Sequence, residues 1–233
     1  MRFPQPLARG ILVKRYKRFL ADVVLEDGTE LTAHCPNPGA MLGLNMPGLP
    51  VWLSRSDSAT RKLPWTLELV EVDGGLVGVN TMHPNRIVAE ALAAGAIPAL
   101  TGYDRVRAEV KYGEKSRVDF LLERDDGARC WLEIKNVHLM RTPGLAEFPD
   151  CVAARSARHL RELEAMVAAG DRAVVLFVVQ RMDCETFTPC RELDPAFAEA
   201  MAQAMSSGVE FHAWACQVTD EAVTLAKPMP VSL

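Results

Sequence analysis

The sequence lacks the features that would place the chain in a membrane or staple it with disulfides. No apolar run among its 233 residues approaches the roughly 20 residues needed to cross a bilayer. The segment from Met1 to Gly10 has no apolar core of the kind found in signal peptides. The six cysteines form no CxxC pair, which favours reduced thiols. From these absences we expect a cytoplasmic protein with no membrane segment.

Charge is distributed unevenly along the chain, although the net charge is only −4. Hydrophobic residues make up 49% of the sequence and charged residues 24%, a composition that supports a buried core rather than disorder. The first 20 residues contain six basic residues and no acidic one, whereas residues 81–233 are acidic overall. A basic patch on an acidic chain indicates a polyanionic ligand such as nucleic acid.

The pattern of apolar residues changes near residue 80, and we find no internal repeat, low-complexity tract or linker. Strands are predicted over Ile11–Tyr16, Phe19–Leu25, Glu30–Cys35, Pro50–Ser54 and Trp65–Val72. Five short strands in about 80 residues fit a small closed barrel of the OB type. The same pattern is compatible with an SH3-like barrel. We therefore predict an OB-like nucleic-acid-binding domain over residues 1–80 and a second domain over residues 81–233.

Residues 81–233 alternate between helical and strand-like patterns. Asn85 is a good cap for a helix over Arg86–Ala94, and a second helix is predicted over Val152–Ala169. Asp194 and Pro195 predict the start of a third helix. Strands are predicted over Val106–Tyr112, Arg117–Leu122, Cys130–Val137, Ala173–Gln180 and, as the last strand, Val209–Gln217. This α-β-β-β-α-β-α-β order predicts a mixed sheet flanked by helices, and so an α+β or α/β second domain.

Three charged residues interrupt the apolar strands in the middle of this region. Asp119 lies within Val118–Leu122, and Glu133 and Lys135 lie within Trp131–Lys135. Because strand side chains alternate, Glu133 and Lys135 share one face of the sheet. If the two strands pair, Asp119 lies beside Glu133. Two carboxylates at so short a distance repel each other, which favours a cation between them. Oxygen ligands of this kind suit Mg²⁺ or Mn²⁺.

This arrangement predicts the catalytic site of a metal-dependent phosphodiesterase. A metal ion on Asp119 and Glu133 would polarise a phosphoryl oxygen and activate a water, and Lys135 would stabilise the developing charge. Glu109 on the preceding strand and Glu90 on the first helix are candidate outer carboxylates. The alternative is a structural salt bridge in which Lys135 pairs with Glu133 or Glu109 on a half-exposed sheet.

A basic and aromatic segment suggests a surface for nucleic acid. It contains, in order, Lys14, Arg15, Tyr16, Lys17 and Arg18. Cations for phosphates and a ring for bases suit the binding of single-stranded DNA. Arg61 and Lys62, on a predicted loop of the same domain, would extend this surface. The alternative is a solvated strand edge with ordinary surface charge.

Three other polar positions have a structural interpretation. His159, on the second predicted helix, is either a phosphate contact or a half-buried polar residue. Because only helix phase places it near the strands, we favour the half-buried polar residue. Pro149-Asp150 follows the ExK sequence rather than preceding it, so we interpret it as a loop feature. His34 and Cys35 have no second pair at ligand spacing, which argues against a zinc site.

Six strings of the sequence carry a family resemblance, and several of them are long enough to be highly specific: Arg15–Val23, His34–Asn37, Arg61–Pro64, Glu109–Gly113, Ser116–Leu122 and Phe148–Asp150. Together they resemble the sugar fermentation stimulation protein A family over almost the whole chain. The resemblance implies an N-terminal OB-like domain, a C-terminal PD-(D/E)xK nuclease-like domain and DNA binding without marked sequence preference. It places the nuclease motif at Asp119, Glu133 and Lys135, with Glu90 and Glu109 as auxiliary acids.

The sequence departs from the family pattern in three places. Asn37-Pro38-Gly39-Ala40 stands where Asn-Thr/Ser-Gly-Ser is usual, His138 stands where threonine is usual, and the second helix lacks the polar residue common before Arg158-His159-Leu160. Two hypotheses follow. The first is an endo- or exonuclease that uses Mg²⁺ or Mn²⁺ on DNA, including single-stranded or branched DNA. The alternative is a non-catalytic DNA-binding regulator of sugar (maltose) metabolism genes. An oligomer is compatible with either hypothesis.

Overall fold

The computed structural model describes residues 1–113 and 116–233. The N-terminal strands are β1 (Ala8–Tyr16), β2 (Leu20–Leu25), β3 (Glu30–His34), β4 (Pro50–Arg55), β5 (Trp65–Val72) and β6 (Gly75–Gly78). Their order is β3-β2-β1-β4-β5-β6, and a parallel pairing of His34 with Thr66 joins β3 to β5. This pairing closes a five-stranded barrel with OB topology. The predicted OB fold is confirmed.

The barrel interior is filled by the alternate side chains of these strands. In β1, Leu12 is buried whereas Ile11 and Val13 on either side of it are exposed. Leu12 packs with Val23 from β2, Leu53 from β4 and other apolar residues in one cluster. Each fully buried aliphatic side chain contributes roughly 1.5–3 kcal/mol to folding. This alternation is why the five strands could be predicted from the sequence.

The second sheet is mixed and is flanked by helices on both faces. Its strands are β7 (Arg105–Tyr112), β8 (Ser116–Glu123), β9 (Arg129–Val137), β12 (Arg172–Val179), β14 (Glu210–Val218) and β15 (Val223–Met229). A small sheet contains β10 (Leu139–Thr142), β11 (Gly144–Phe148) and β13 (Cys184–Pro189), and the helices are α1 (Pro84–Ala93), α2 (Ala154–Ala168) and α3 (Pro195–Ser206). The large sheet has the order β15-β14-β12-β9-β8-β7, with β9, β12 and β14 parallel. The predicted mixed sheet flanked by helices is confirmed.

The alternation of β9 divides the core into two layers. Leu132 and Ile134 pack with Ile87 of α1 on one face of the sheet. Trp131 packs on the opposite face in the cluster that includes Leu160 of α2. Glu133 and Lys135 therefore lie on the α2 face, as their spacing predicts.

Two details of the second domain differ from the sequence-based prediction. The predicted cap at Asn85 is wrong, because Pro84 occupies the first turn of α1 and His83 is the N-cap. Strand β15 follows the strand that we expected to be last. Pro228 lies within β15, which is an edge strand, and prolines are tolerated at sheet edges. By contrast, Asp194 caps α3 as predicted and accepts a hydrogen bond from the Phe197 amide at 3.0 Å.

The barrel packs directly against the second sheet. Leu69 of β5 belongs to the same apolar cluster as α1. The Gly78 amide donates to the Gln180 carbonyl at 2.8 Å, and the Met41 amide donates to the Asp150 carboxylate at 2.8 Å. These contacts fix the barrel relative to strand β9. In the part of the chain that the structure describes, no helix is long and apolar enough to span a membrane.

Candidate functional site

Strands β8 and β9 stop pairing beside Asp119. Their ladder runs from Glu123 opposite Arg129 to Phe120 opposite Leu132. One step further along, the Asp119 carboxylate accepts a hydrogen bond from the Ile134 backbone amide at 2.7 Å. The side chain therefore satisfies a donor that the neighbouring strand leaves unpaired. This bond holds the Asp119 carboxylate against the backbone between Glu133 and Lys135.

Glu133 is buried and is bonded on one oxygen only. Its Oε1 accepts hydrogen bonds from Lys135 Nζ at 2.6 Å and from His159 Nδ1 at 2.5 Å. Its Oε2 is buried and has no partner among the described residues. Glu133 and Lys135 are 3% and 8% exposed, so their ion pair is not the half-exposed surface pair of the structural alternative. An unpaired carboxylate oxygen at this depth is costly unless a ligand satisfies it.

His159 joins this site, although its sequence context favoured a purely structural role. Arg155 Nε donates to His159 Nε2 at 3.2 Å, so Nε2 is the acceptor nitrogen. The proton on Nδ1 then points to Glu133. The imidazole thus orients the Glu133 carboxylate and leaves its second oxygen free.

The two carboxylates differ in acidity because their surroundings differ. Burial, and then the charge of Glu133, raise the pKa of Asp119 to about 6. Burial also opposes the ionisation of Glu133, but the hydrogen bond from His159 and the charge of Lys135 outweigh it, and the pKa of Glu133 falls below its usual value. A pair of acids with opposite shifts is typical of functional sites.

Asn85 is a member of the site that sequence reasoning missed. Its side-chain amide donates to Asp119 Oδ1 at 2.8 Å. The start of α1, which carries Asn85, is in turn held by the barrel, since His83 Nε2 and Asn80 Nδ2 each bond Glu68 at 2.7 Å. The sequence signal was an asparagine next to Pro84, which we interpreted as a helix cap.

The two predicted outer carboxylates do not join the site. Glu90 forms an ion pair with the Met1 ammonium at 2.6 Å and another with Arg86 at 3.2 Å. The first helical turn of α1 presents Asn85 to the strands, whereas Glu90 lies on another face. Glu109 is exposed on β7 and has a positive φ of 54°. The β7–β8 register pairs Ala108 with Phe120 and Val110 with Val118 and gives Glu109 no partner, and the exposure of Glu109 gives no sign of a shared ligand.

Arg15 has a structural role in the barrel, and its contact with phosphate stays a prediction. Its guanidinium donates to the carbonyls of Asn37 and Gly39 at 2.8 Å and of Ala40 at 3.3 Å. Those donors are therefore committed to the loop after β3. Lys14 and Tyr16 have a shared internal partner in Asp22.

We expect Arg15→Ala to lower the free energy of unfolding by roughly 2–3 kcal/mol, because charged hydrogen bonds to three buried-loop carbonyls are lost. Urea denaturation of the wild type and the variant measures the difference. Lys17→Ala, which removes an exposed cation from the neighbouring loop, is the matched control and should change stability little. Equal midpoints for wild type and Arg15→Ala would show that the loop is held by other contacts.

The remaining basic residues lie on two loops of the barrel. Lys17 and Arg18, both exposed, connect β1 to β2 and have positive φ angles of 48° and 63°. Arg61 and Lys62 lie between β4 and β5, where Arg61 bonds the Thr66 hydroxyl at 2.5 Å. Loops at these two positions are the usual oligonucleotide-binding loops of an OB fold. Arg18 also borders a cleft that reaches Lys135.

Asp119 and Glu133 are suited to a hard divalent cation. Over residues 1–113 and 116–233, no set of three or more His, Cys, Asp or Glu side chains is arranged as a metal site. A hard cation that keeps several waters does not require such a set, because it binds through one or two carboxylates. The unpartnered Oε2 of Glu133 and the raised pKa of Asp119 are both relieved by a cation. The donor set therefore fits a hard divalent cation.

Comparisons with known proteins agree with this fold. The family model described as the SfsA N-terminal OB domain matches residues 13–79, and the model described as the sugar fermentation stimulation protein RE domain matches residues 82–222. The sugar fermentation stimulation protein homolog of Caulobacter vibrioides is 60% identical over 227 residues, which cover 97% of this chain and 95% of that protein. The homolog of Rhodospirillum centenum is 57% identical over 232 residues and covers 100% of both chains.

A solved structure extends this similarity to the whole architecture. The chain matches the structure of Pyrococcus furiosus SfsA with a TM-score of 0.90 and 26% identity. The match covers 100% of this chain and 98% of that chain. On the family models, the two homologs and this structure, the chain belongs to the sugar fermentation stimulation protein (SfsA) family.

Proposed function

We propose that this protein is a Mg²⁺- or Mn²⁺-dependent phosphodiesterase that cleaves DNA. The observation that carries the proposal is a pair of carboxylates, the half-buried Asp119 and the buried Glu133, whose pKa values are shifted in opposite directions beside the buried Lys135. A salt bridge that only stabilises the sheet has no use for a second carboxylate whose pKa is raised. Strongly shifted pKa values of this kind identify candidate functional sites.

Asp119 and Glu133 are the residues that would hold the metal ion. When bound, the ion supplies Lewis acidity to a phosphoryl oxygen and lowers the pKa of a coordinated water. The Pyrococcus furiosus SfsA structure is described as a complex with Ca²⁺, which supports a divalent cation on this fold. Asn85 and the Ile134 amide orient Asp119, and His159 orients Glu133.

Lys135 is proposed to stabilise the charge that develops on the phosphate. Its ammonium carries hydrogen-bond donors only, so it acts on oxygen atoms and not as a metal ligand. Its burial makes each of those interactions stronger than in water. A donor fixed in place before the reaction lowers the barrier without reorganisation.

The barrel is proposed to hold a DNA strand through its two basic loops. Lys17, Arg18 and Lys62 are exposed cations on the loops that bind oligonucleotides in other OB folds. Contacts to phosphates alone carry no sequence information, so we expect little sequence preference. The six cysteines are all free thiols, which suits a reducing cytoplasm.

A DNA-binding regulator without catalysis is the second candidate. The ion pair between Lys135 and Glu133 supports it, because a lysine already neutralised by a carboxylate can have a purely structural role even where the pair is buried. In this case the barrel loops would bind DNA in the same way, and the acidic site would be unused. The family's association with sugar fermentation fits this reading.

Replacing Lys17, Arg18 and Lys62 with alanine should weaken DNA binding to a similar extent for all sequences. Each lost phosphate contact should reduce the slope of log affinity against log salt by about one unit. Fluorescence anisotropy over a salt series measures both quantities. Lys227→Ala, which removes an exposed cation from β15, is the control. An unchanged slope in the triple variant would remove these loops from the DNA interface.

A cleavage assay tests the proposed activity directly. The purified protein is incubated with plasmid, single-stranded and branched DNA in the presence of Mg²⁺, Mn²⁺ or EDTA. We expect metal-dependent cleavage of at least one substrate, and no cleavage in EDTA or by Glu133→Gln. Absence of cleavage with every metal and substrate, together with normal DNA binding, would leave the regulator as the better description.

A further inference from the structure

A cleft of about 390 Å³ separates the barrel from the second sheet and opens beside Lys135. The barrel contributes Arg18 and the loop of Asn37, Pro38 and Gly39. The second sheet contributes Lys135 and Asn136 from β9, and the segment Phe148–Ala153 forms the opposite wall. The cleft therefore borders the basic loop between β1 and β2 and also Lys135, which bonds Glu133 of the proposed metal site.

The walls of the cleft are held in place before any ligand binds. Asp150 accepts hydrogen bonds from the Met41 amide at 2.8 Å and from His138 Nε2 at 3.2 Å, which joins the barrel loop to the second sheet. Burial opposes the ionisation of Asp150, but the hydrogen bond from His138 outweighs it and holds the pKa of Asp150 at about 2. Gly39 is needed here, since a side chain at this position would collide with the Asp150 carboxylate. Arg15 fixes the other side of the same loop.

The two asparagine side chains that line the cleft, Asn37 and Asn136, are already bonded to neighbours. The Asn37 amide donates to the Val79 carbonyl at 2.9 Å and its oxygen accepts from the Gly39 amide at 2.9 Å. The Asn136 amide bonds His138 Nδ1 at 3.0 Å, and its oxygen accepts from Gln180 at 2.5 Å. The cleft therefore presents few free donors or acceptors that could distinguish one base from another.

What remains available in the cleft is apolar surface with a cation on either side of it. Pro38, Phe148, Pro149 and Val152 line it, whereas Arg18 lies on the barrel side and Lys135 on the sheet side. A nucleotide within a strand has this combination of features: an aromatic base with phosphates on both sides. Apolar and aromatic surfaces bind any base through its π-face, and cations bind the phosphates.

We propose that this cleft binds one unpaired nucleobase of the DNA strand, next to the phosphate that Lys135 contacts. The inference rests on the proposed phosphodiesterase function and specifies its substrate class. A base inside a duplex cannot enter such a cleft without being unstacked and unpaired. The cleft thus selects single-stranded, branched or gapped DNA, and it does so without reading the sequence.

The test uses DNA with 2-aminopurine, a fluorescent base whose emission falls when it stacks. One probe is a forked duplex with 2-aminopurine in the unpaired arm, and the other is a fully paired duplex with the same base in the same sequence. Binding is measured in EDTA, so that no cleavage step contributes. We expect a change in emission and roughly tenfold tighter binding for the fork, the range expected for one stacked base.

Two variants fill the cleft without removing any proposed catalytic group. Val152→Trp places a ring at a position that is 75% exposed, where no packing is lost on substitution. Ser156→Phe fills the cleft from the first turns of α2. Both should lower affinity for the fork roughly tenfold and leave duplex affinity unchanged. Met205→Trp, on the exposed side of α3 away from the cleft, is the matched control.

The outcomes separate this inference from the proposed activity. Equal affinity of the wild type for fork and duplex, or a fork affinity unaffected by both cleft-filling variants, would overturn the inference even if the protein cleaves DNA. A fork preference that both variants abolish would support it even if no cleavage is found, and the cleft would then belong to a binding protein for unpaired DNA.

Discussion

Replacing Lys135 with alanine is expected to lower the rate of DNA cleavage by roughly a factor of 10² or more, the usual cost of one lost donor to a developing charge. The reason is that Lys135 acts mainly in the transition state, where the phosphate oxygens gain charge. DNA affinity should fall far less, because one cation is removed from many phosphate contacts. Single-turnover cleavage and anisotropy on the same substrate measure the two effects separately.

Burial of Lys135 requires a control for folding. Lys135 is only 8% exposed and neutralises Glu133, so its removal leaves a buried carboxylate with one fewer partner. Lys135→Met keeps the aliphatic stem and should lose cleavage to the same extent as Lys135→Ala. Lys227→Ala, at an exposed position, should leave the rate unchanged. Full cleavage by a folded Lys135→Met variant would exclude Lys135 from the chemistry.

The barrel and the central strands could be predicted because their apolar residues follow local periods. The alternation in β1 and β5 and the apolar runs of β9 and β12 are visible in the sequence, and those strands lie within one to three residues of their predicted bounds. Spacing also placed Glu133 and Lys135 on one face. The short strands β10, β11 and β13 were missed, because four to six residues at the rim of the core carry too little periodicity.

The roles of Asn85, His159 and Arg15 depend on tertiary contacts that no local pattern encodes. Asn85 was interpreted as a helix cap, and only the approach of α1 to the end of the β8–β9 ladder turns its amide toward Asp119. His159 had the right helical phase, but its contact with Glu133 depends on how α2 packs on the sheet. Arg15 was assigned to phosphate on residue type, although the loop after β3 folds back to accept its hydrogen bonds.

Asp119→Asn should make the metal-free protein more stable at neutral and alkaline pH. The pKa of Asp119 rises from 3.8 to about 6 on folding, so the folded state holds its proton more tightly than the unfolded state. A raised pKa of this kind contributes stability below the unfolded pKa, and that stability is lost as the pH rises through about 4 to 6. Above this window the ionised, buried carboxylate costs roughly 2–3 kcal/mol, at about 1.4 kcal/mol for each pKa unit.

Asparagine is neutral at every pH and still accepts the hydrogen bond from the Ile134 amide. Its NH2 group replaces the oxygen that accepts from Asn85, and the Asn85 side chain meets it by turning its own carbonyl oxygen toward it, so the substitution removes the cost of the charge. The free energy of unfolding of Asp119→Asn should therefore exceed that of the wild type at about pH 8, with a smaller difference at about pH 4.5. Urea denaturation in EDTA at both pH values measures it. A structural salt-bridge residue would behave in the opposite way, because its removal would destabilise the protein most at pH 8.

Adding Mg²⁺ or Mn²⁺ at pH 8 completes the test. The wild type should gain stability with metal concentration through linkage, whereas Asp119→Asn should gain little, because the charge that attracts the ion is gone. In EDTA, Asp119→Asn should have the higher free energy of unfolding. With metal, the wild type should have the higher value. Asn85→Ala provides an intermediate case, since it leaves the Asp119 charge in place and removes one of its two hydrogen bonds. An identical response of wild type and Asp119→Asn to both metals would place the ion elsewhere and remove the basis for the phosphodiesterase proposal.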